Sequence, residues 1–122
     1  MKKKDFNVAI AERVMGWDTK PSTMAGEVGY RYRISVDGVD YWERGYDFAT
    51  DHNAAALVRA RVREFRRISE FIDALTAVVG SDWQMVGAGY TDMWDLLSAT
   101  PAQTARAAYL AVTGEELEAV DE

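Results

Sequence analysis

The sequence predicts an α/β chain of the α+β kind. It is read as one small domain, 1–122, in which an antiparallel β-hairpin-based sheet is packed by three or four helices in a sandwich-like arrangement. Three observations predict this. Apolar residues recur at steps of three and four near the start, in the middle and near the end of the chain, whereas from Tyr30 to Trp42 the period is two. Asp37-Gly38 stands inside that alternating run as the signal of a type I′ hairpin. With 122 residues, 48% of them hydrophobic and 11% aromatic, the chain can build one core but not two ordinary ones.

Phe6, Ile10 and Val14 follow one another at four-residue steps, with Ala9 and Ala11 beside them and Gly16 at a terminating position, which predicts a helix over Asp5 to Met15. Trp17 then packs back on the last turn rather than waiting for a ligand. From Asp18 to Gly29 the sequence turns to Thr, Pro, Ser and Gly without periodicity, which reads as a loop. The two-residue turn at Asp37-Gly38 sets the hairpin register. Val36 opposes Val39, Ile34 opposes Tyr41 and Tyr32 opposes Glu43, a largely apolar face expected to meet the core. On the other face Ser35 meets Asp40, Arg33 meets Trp42 and Arg31 meets Arg44.

Thr50 or Asp51 can cap the next helix, and Val58, Val62, Phe65, Ile68, Ile72, Leu75 and Val79 continue a stripe to Gly80. One long helix and two stacked helices both fit 52–79. Arg61, Arg63, Arg66 and Arg67 fall mainly off the stripe and read as solvated surface, with Glu64 and Glu70 as countercharge. Trp83 to Ala88 suits a strand, and 93–97 is read as a second one, although Thr91-Asp92 could equally cap a turn of helix. The segment from Thr100 to Gly114 is the clearest helix and the one the others are expected to cover. Thr100 caps it, Pro101 takes its first position, Gln103 completes a capping box and Gly114 ends it; Ala105, Ala108, Tyr109 and Val112 share a face. Residues 1–4 and the acidic 115–122 read as frayed tails.

Fourteen basic and twenty acidic side chains give a formal charge of −6, which argues against coating duplex nucleic acid. The absence of cysteine excludes disulfides and thiolate metal sites and fits a reducing cytoplasm. Met1-Lys-Lys-Lys4 could open a signal peptide, but Asp5, Asn7, Glu12 and Arg13 interrupt any apolar segment after it, and no run is long enough to span a membrane.

Three pieces, Ile10 to Trp17, Phe48 to Val58 and Ala99 to Val112, resemble in order the phage ABA sandwich domain, a family of small phage-encoded proteins named for an α/β/α sandwich. The resemblance covers about a third of the chain. It implies a phage or prophage origin, an infected bacterial cytoplasm and a three-layer fold, and it carries over no functional residue.

Constellations with chemistry are few. Asp47, Asp51 and His52 lie close in sequence, but one histidine without cysteine makes a poor zinc set, and no metal or other cofactor is expected. Asp92 and Asp95 could pair as acid and base or hold magnesium, a pattern common among surface carboxylates. No Gly-x-Ser-x-Gly elbow is present, and Gly87-Ala-Gly89 lacks the rest of a phosphate loop. What remains is the polar hairpin face: Arg31, Arg33 and Arg44 with Trp42, and Tyr30 and Tyr46 at its ends. Opposed arginines repel unless an anion or a partner carboxylate lies between them, and an aromatic beside them offers a stacking plate. The purely structural alternative has Arg33 lying over Trp42. The expectation is a non-enzymatic phage accessory or counter-defence protein that sequesters a host protein or a nucleotide-type signal through this face. A phosphate-directed hydrolase using Asp92, Asp95 or His52 is the alternative. A homo-oligomer, a dimer, is expected because the hairpin offers an edge strand and the Ile68 to Val79 stripe has more apolar length than a small core can cover.

Overall fold

The computed structural model describes residues 1–22, 29–80 and 96–121. In chain order the elements are α1 (Lys3–Arg13), β1 (Thr19–Pro21), β2 (Tyr30–Val36), β3 (Val39–Arg44), α2 (His52–Glu64), α3 (Ile68–Val79) and α4 (Pro101–Thr113). Together they make a single mixed α+β domain with a three-stranded antiparallel sheet in the order β1-β2-β3. The helix that carries the strongest local signals also sits at the centre. α4 packs against α1, α2 and α3, and Ala105, Ala107 and Ala108 are fully buried. Alanine removes little apolar area itself, but it lets neighbouring helices approach closely enough for Phe6, Ile10, Val14, Val58 and Val62 to fill the space. Both halves of the capping box form. The Gln103 N–H donates to the Thr100 hydroxyl at 3.1 Å, and the Thr100 N–H donates to the Gln103 side-chain oxygen at 2.9 Å. Gly114 closes the helix at φ 75°.

The middle stripe is two helices. α2 is capped by Asp51, whose carboxylate accepts from the Asn53 N–H at 2.8 Å. It ends where Arg66 turns left-handed at φ 57°. There the Arg66 N–H donates to Arg63 and the Arg67 N–H to Val62, the paired bonds of a Schellman motif that redirect the chain into α3. An arginine in this conformation costs about 1 kcal/mol relative to glycine, so packing across the break must hold it. The ion pairs foreseen for this region are present, Arg61–Glu64 at 2.9 Å and Arg67–Glu70 at 3.7 Å. Arg61 does more than face solvent, because its Nε–H also donates to the carbonyl of Val14 and closes the end of α1.

Four expectations need correction. The stretch read as a loop from Asp18 contains β1, a strand too short to show periodicity and ended by a proline; it pairs as Thr19↔Tyr32, Lys20↔Arg31 and Pro21↔Tyr30. Leu96 and Leu97, read as the end of a strand, are helical, and the Ala99 N–H closes a turn onto Leu96; Trp83 to Ala88 and residues 93–95 lie outside the described residues. Residues 1–4 and 115–121 are not frayed. Leu117 is buried and its carbonyl accepts from Arg106 Nε, while the Met1 ammonium donates to Ala119 and to the Asp121 carboxylate, and the Asp121 N–H returns to Met1. Acidic composition suggested disorder, but a cationic chain start lying beside an acidic chain end gives those residues a partner.

The fourth correction concerns the hairpin. Its register is the one the turn dictates, with Asp37 and Gly38 both at positive φ and Val36↔Val39, Ile34↔Tyr41 and Tyr32↔Glu43 in pairs. Its apolar face is covered at the base only. Tyr30 is wholly buried and Tyr32 nearly so, whereas Val36, Val39 and Tyr41 are each about half exposed. Among the described residues α1 is the helix that meets the sheet, and it touches β1 and β2 but not β3.

Candidate functional site

The polar face of the hairpin turns to solvent, as one face of an antiparallel sheet can. Strand alternation puts Arg31, Arg33 and Ser35 of β2 on this face with Asp40, Trp42 and Arg44 of β3. β1 adds Lys20, directly opposite Arg31, and Arg31 is directly opposite Arg44. Three cations therefore run in one row across three strands of a chain whose net charge is −6. Trp42 lies beside the row, and Lys20 and Arg31 both converge on it. Lys20 Nζ stands 4.3 Å from the centroid of its ring, and Arg31 Nη2 donates to its carbonyl at 2.8 Å.

Arg33 is placed differently from either expectation. It does not lie over Trp42; it is ion-paired to Asp18 and lies 3.7 Å from Asp40, so its charge is already met. Ser35 donates to Asp40. Lys20 takes the position over the ring, and it is the site residue that sequence reasoning missed. Only the pairing of β1 brings Lys20 there, and a three-residue strand carries no alternating signal. Arg31 Nε is buried and without a hydrogen-bond partner among the described residues. Among the described residues Arg44 forms no ion pair, and it is exposed.

Tyr30 and Tyr46 do not flank this face. Tyr30 points into the core, where its hydroxyl donates to the Tyr46 carbonyl at 2.7 Å. Tyr46 belongs to an aromatic cluster with Trp17, Tyr32 and Phe48, in which Trp17 and Tyr32 stack at 4.0 Å. Strand parity explains Tyr30, which alternates with Arg31, and the chain leaves the sheet before Tyr46. Burial pushes the Tyr30 hydroxyl well above its ordinary value and, with the neighbouring Tyr46, raises Tyr32 to about 12. Both stay neutral and structural at neutral pH.

The turn that carries Tyr46 is fixed by a residue with no sequence signal, Asn7. Fully buried in α1, its side-chain oxygen accepts from the Phe48 N–H at 2.9 Å while its amide reaches Asp47 at 3.4 Å. Asp47, considered above as a ligand, is committed here. Burial raises its pKa, but hydrogen bonds from Thr50, Lys3 and Asn7 and the Lys3 charge outweigh that and hold it below the ordinary value. His52 is exposed at the start of α2, and Asp92 and Asp95 lie outside the described residues. Among the described residues no three carboxylate or imidazole groups gather as a metal site, and no helix is long and apolar enough to cross a membrane.

The energies on the polar face decide what it can do. Cross-strand like charges oppose folding by about 0.2–1 kcal/mol per pair, and an exposed cation–π contact returns about 0.5–1 kcal/mol. With two such pairs and one such contact the repulsion is offset only in part, so Lys20 over Trp42 makes the row tolerable without neutralising it. A charge-assisted hydrogen bond is worth about 1.5–3 kcal/mol, enough to draw Lys20 off the ring toward an anion. No family model, curated protein or solved structure matches the chain.

Proposed function

We propose that this protein acts by binding, capturing an anionic group on the row Lys20, Arg31 and Arg44 beside Trp42. The observation that carries the reading is the alignment of three cations across the sheet, with a buried Arg31 Nε lacking a partner among the described residues. The nearby carboxylates support it by their placement, since Asp18 and Asp40 engage Arg33 and leave the row to something else. The ligand is a phosphate-bearing small molecule of the nucleotide type, whose base would meet Trp42 and whose phosphate would meet the cations. An acidic surface of a host protein offers the same charge and is the other outcome of the test. In a phage accessory or counter-defence protein, such capture would sequester the signal or the host component.

Native mass spectrometry of freshly purified protein, followed by calorimetric titration with nucleotides, tests it. A bound phosphate compound, recovered unchanged, is the expected result. Lys20→Glu with Arg31→Glu should reduce its affinity at least tenfold, and added salt should weaken the wild-type complex over a Debye length of about 10 Å at 0.1 M. Undiminished binding by the double variant would place the site elsewhere, and turnover of the ligand would replace capture with catalysis.

A further inference from the structure

We propose that β3 pairs edge to edge with the same strand of a second copy, in an antiparallel register centred on Trp42. Gly45 donates to Tyr30, and Tyr32, Ile34 and Val36 pair with Glu43, Tyr41 and Val39, so these β3 residues turn their N–H and C=O groups toward β2. By alternation Asp40, Trp42 and Arg44 turn theirs outward, and among the described residues no strand lies beyond β3. The outward groups form a row of donors and acceptors that a further strand can extend, and the Trp42 carbonyl, which accepts from Arg31 Nη2, keeps its second lone pair for the new bond.

A two-fold axis perpendicular to the sheet pairs residues of one face with residues of the same face, which leaves few registers. Pairing Trp42 with the partner's Trp42 sets Arg44 opposite the partner's Asp40, and Asp40 opposite the partner's Arg44. All three outward-facing residues of each strand then find a partner. A shift one way sets Glu43 against the partner's Glu43, and a shift the other way sets Arg44 opposite the turn at Gly38. Only the Trp42-centred register joins opposite charges, and it does so twice. The occupant is thus written in the strand itself, since the edge is self-complementary. The apolar side of the same edge agrees, because the half-exposed Tyr41 would pack beside the partner's Glu43 stem and gain cover that the helices do not provide.

This goes beyond the binding reading and narrows it: Asp40 lies 3.7 Å from Arg33, which keeps Asp18, so it can turn to the partner's Arg44, and the anion is then held by Lys20 and Arg31. Two sheets become one of six strands, and the two anion sites lie on its common face on either side of the axis.

Light scattering across micromolar concentrations tests it with reciprocal charge reversals. The wild type should be a dimer. Arg44→Asp alone and Asp40→Arg alone should each weaken dimerisation about tenfold or more, since each replaces two opposite pairs by two like pairs, and the double variant should recover it. The register has its own readout, because the chain has no cysteine. Trp42→Cys should cross-link to its own copy under oxidation, with Cα atoms about 5.5 Å apart in such a pair, while Val36→Cys should not. A wild type monomeric at hundreds of micromolar overturns the proposal. So does a dimer indifferent to both reversals or cross-linked through Val36→Cys as readily as through Trp42→Cys. Retained helix and strand dichroism in the variants separates a lost interface from a lost fold.

Discussion

The base and the tip of the hairpin are built from the same two strands with the same alternation, yet they end in different environments. At the base, Tyr30 and Tyr32 lie under α1 and the aromatic cluster; at the tip, Val36, Val39 and Tyr41 stand about half in solvent. Alternation therefore decides which residues share a face, but the length of the covering layer decides how much of that face is core. The hairpin is longer than the helix that roofs it. Its tip is left for surface work, while its base anchors it.

The largest expected difference follows from Gly45. Its Cα faces the Tyr30 ring so closely that an added Cβ would overlap it, and Tyr30 is wholly buried. Gly45→Ala should destabilise by about 3 kcal/mol, read as a lower denaturant midpoint, because a buried aromatic must leave its rotamer or the strand must shift. A loss under about 1 kcal/mol would show the base to be as yielding as the tip.

A second contrast is in pH. Tyr30 and Tyr32 are raised above the ordinary value of 10.0, with Tyr32 at about 12. A raised folded pKa contributes stability that is fully present below the unfolded value and is lost as pH climbs to the folded one. Stability should hold to about pH 10 and fall from there toward about pH 12, followed by denaturant titration at each pH. Tyr32→Phe should flatten that decline.

The smallest effect is expected at the tip itself. Val36→Thr exchanges one β-branched side chain for another of similar shape where half the surface is already wet, and the change in stability should stay within about 0.5 kcal/mol. A loss above about 1 kcal/mol would mean that the tip is covered after all, and the base-to-tip contrast would fail.

Legibility followed the distance over which each feature is decided. The break between α2 and α3 was open from sequence because it depends on Arg66 adopting a conformation that glycine would have advertised. Asn7 reads as one polar residue in a helix, yet it holds a turn forty-one residues away through Phe48. Of the site, the opposition of Arg31 to Arg44 and of Arg33 to Trp42 was readable from the turn. The arrival of Lys20, the capture of Arg33 by Asp18 and the withdrawal of Tyr30 and Tyr46 into the core were not.

The sequence by itself determined the ends of α4, the turn at Asp37-Gly38 and the hairpin register, because each rests on hydrogen bonds and dihedral preferences spanning a few neighbouring residues. Tertiary structure alone decided where the apolar face stops being core, which cation meets Trp42 and that the two chain ends join. Those outcomes depend on how far one element extends over another, and a side-chain pattern encodes the direction of a face but not the reach of what covers it.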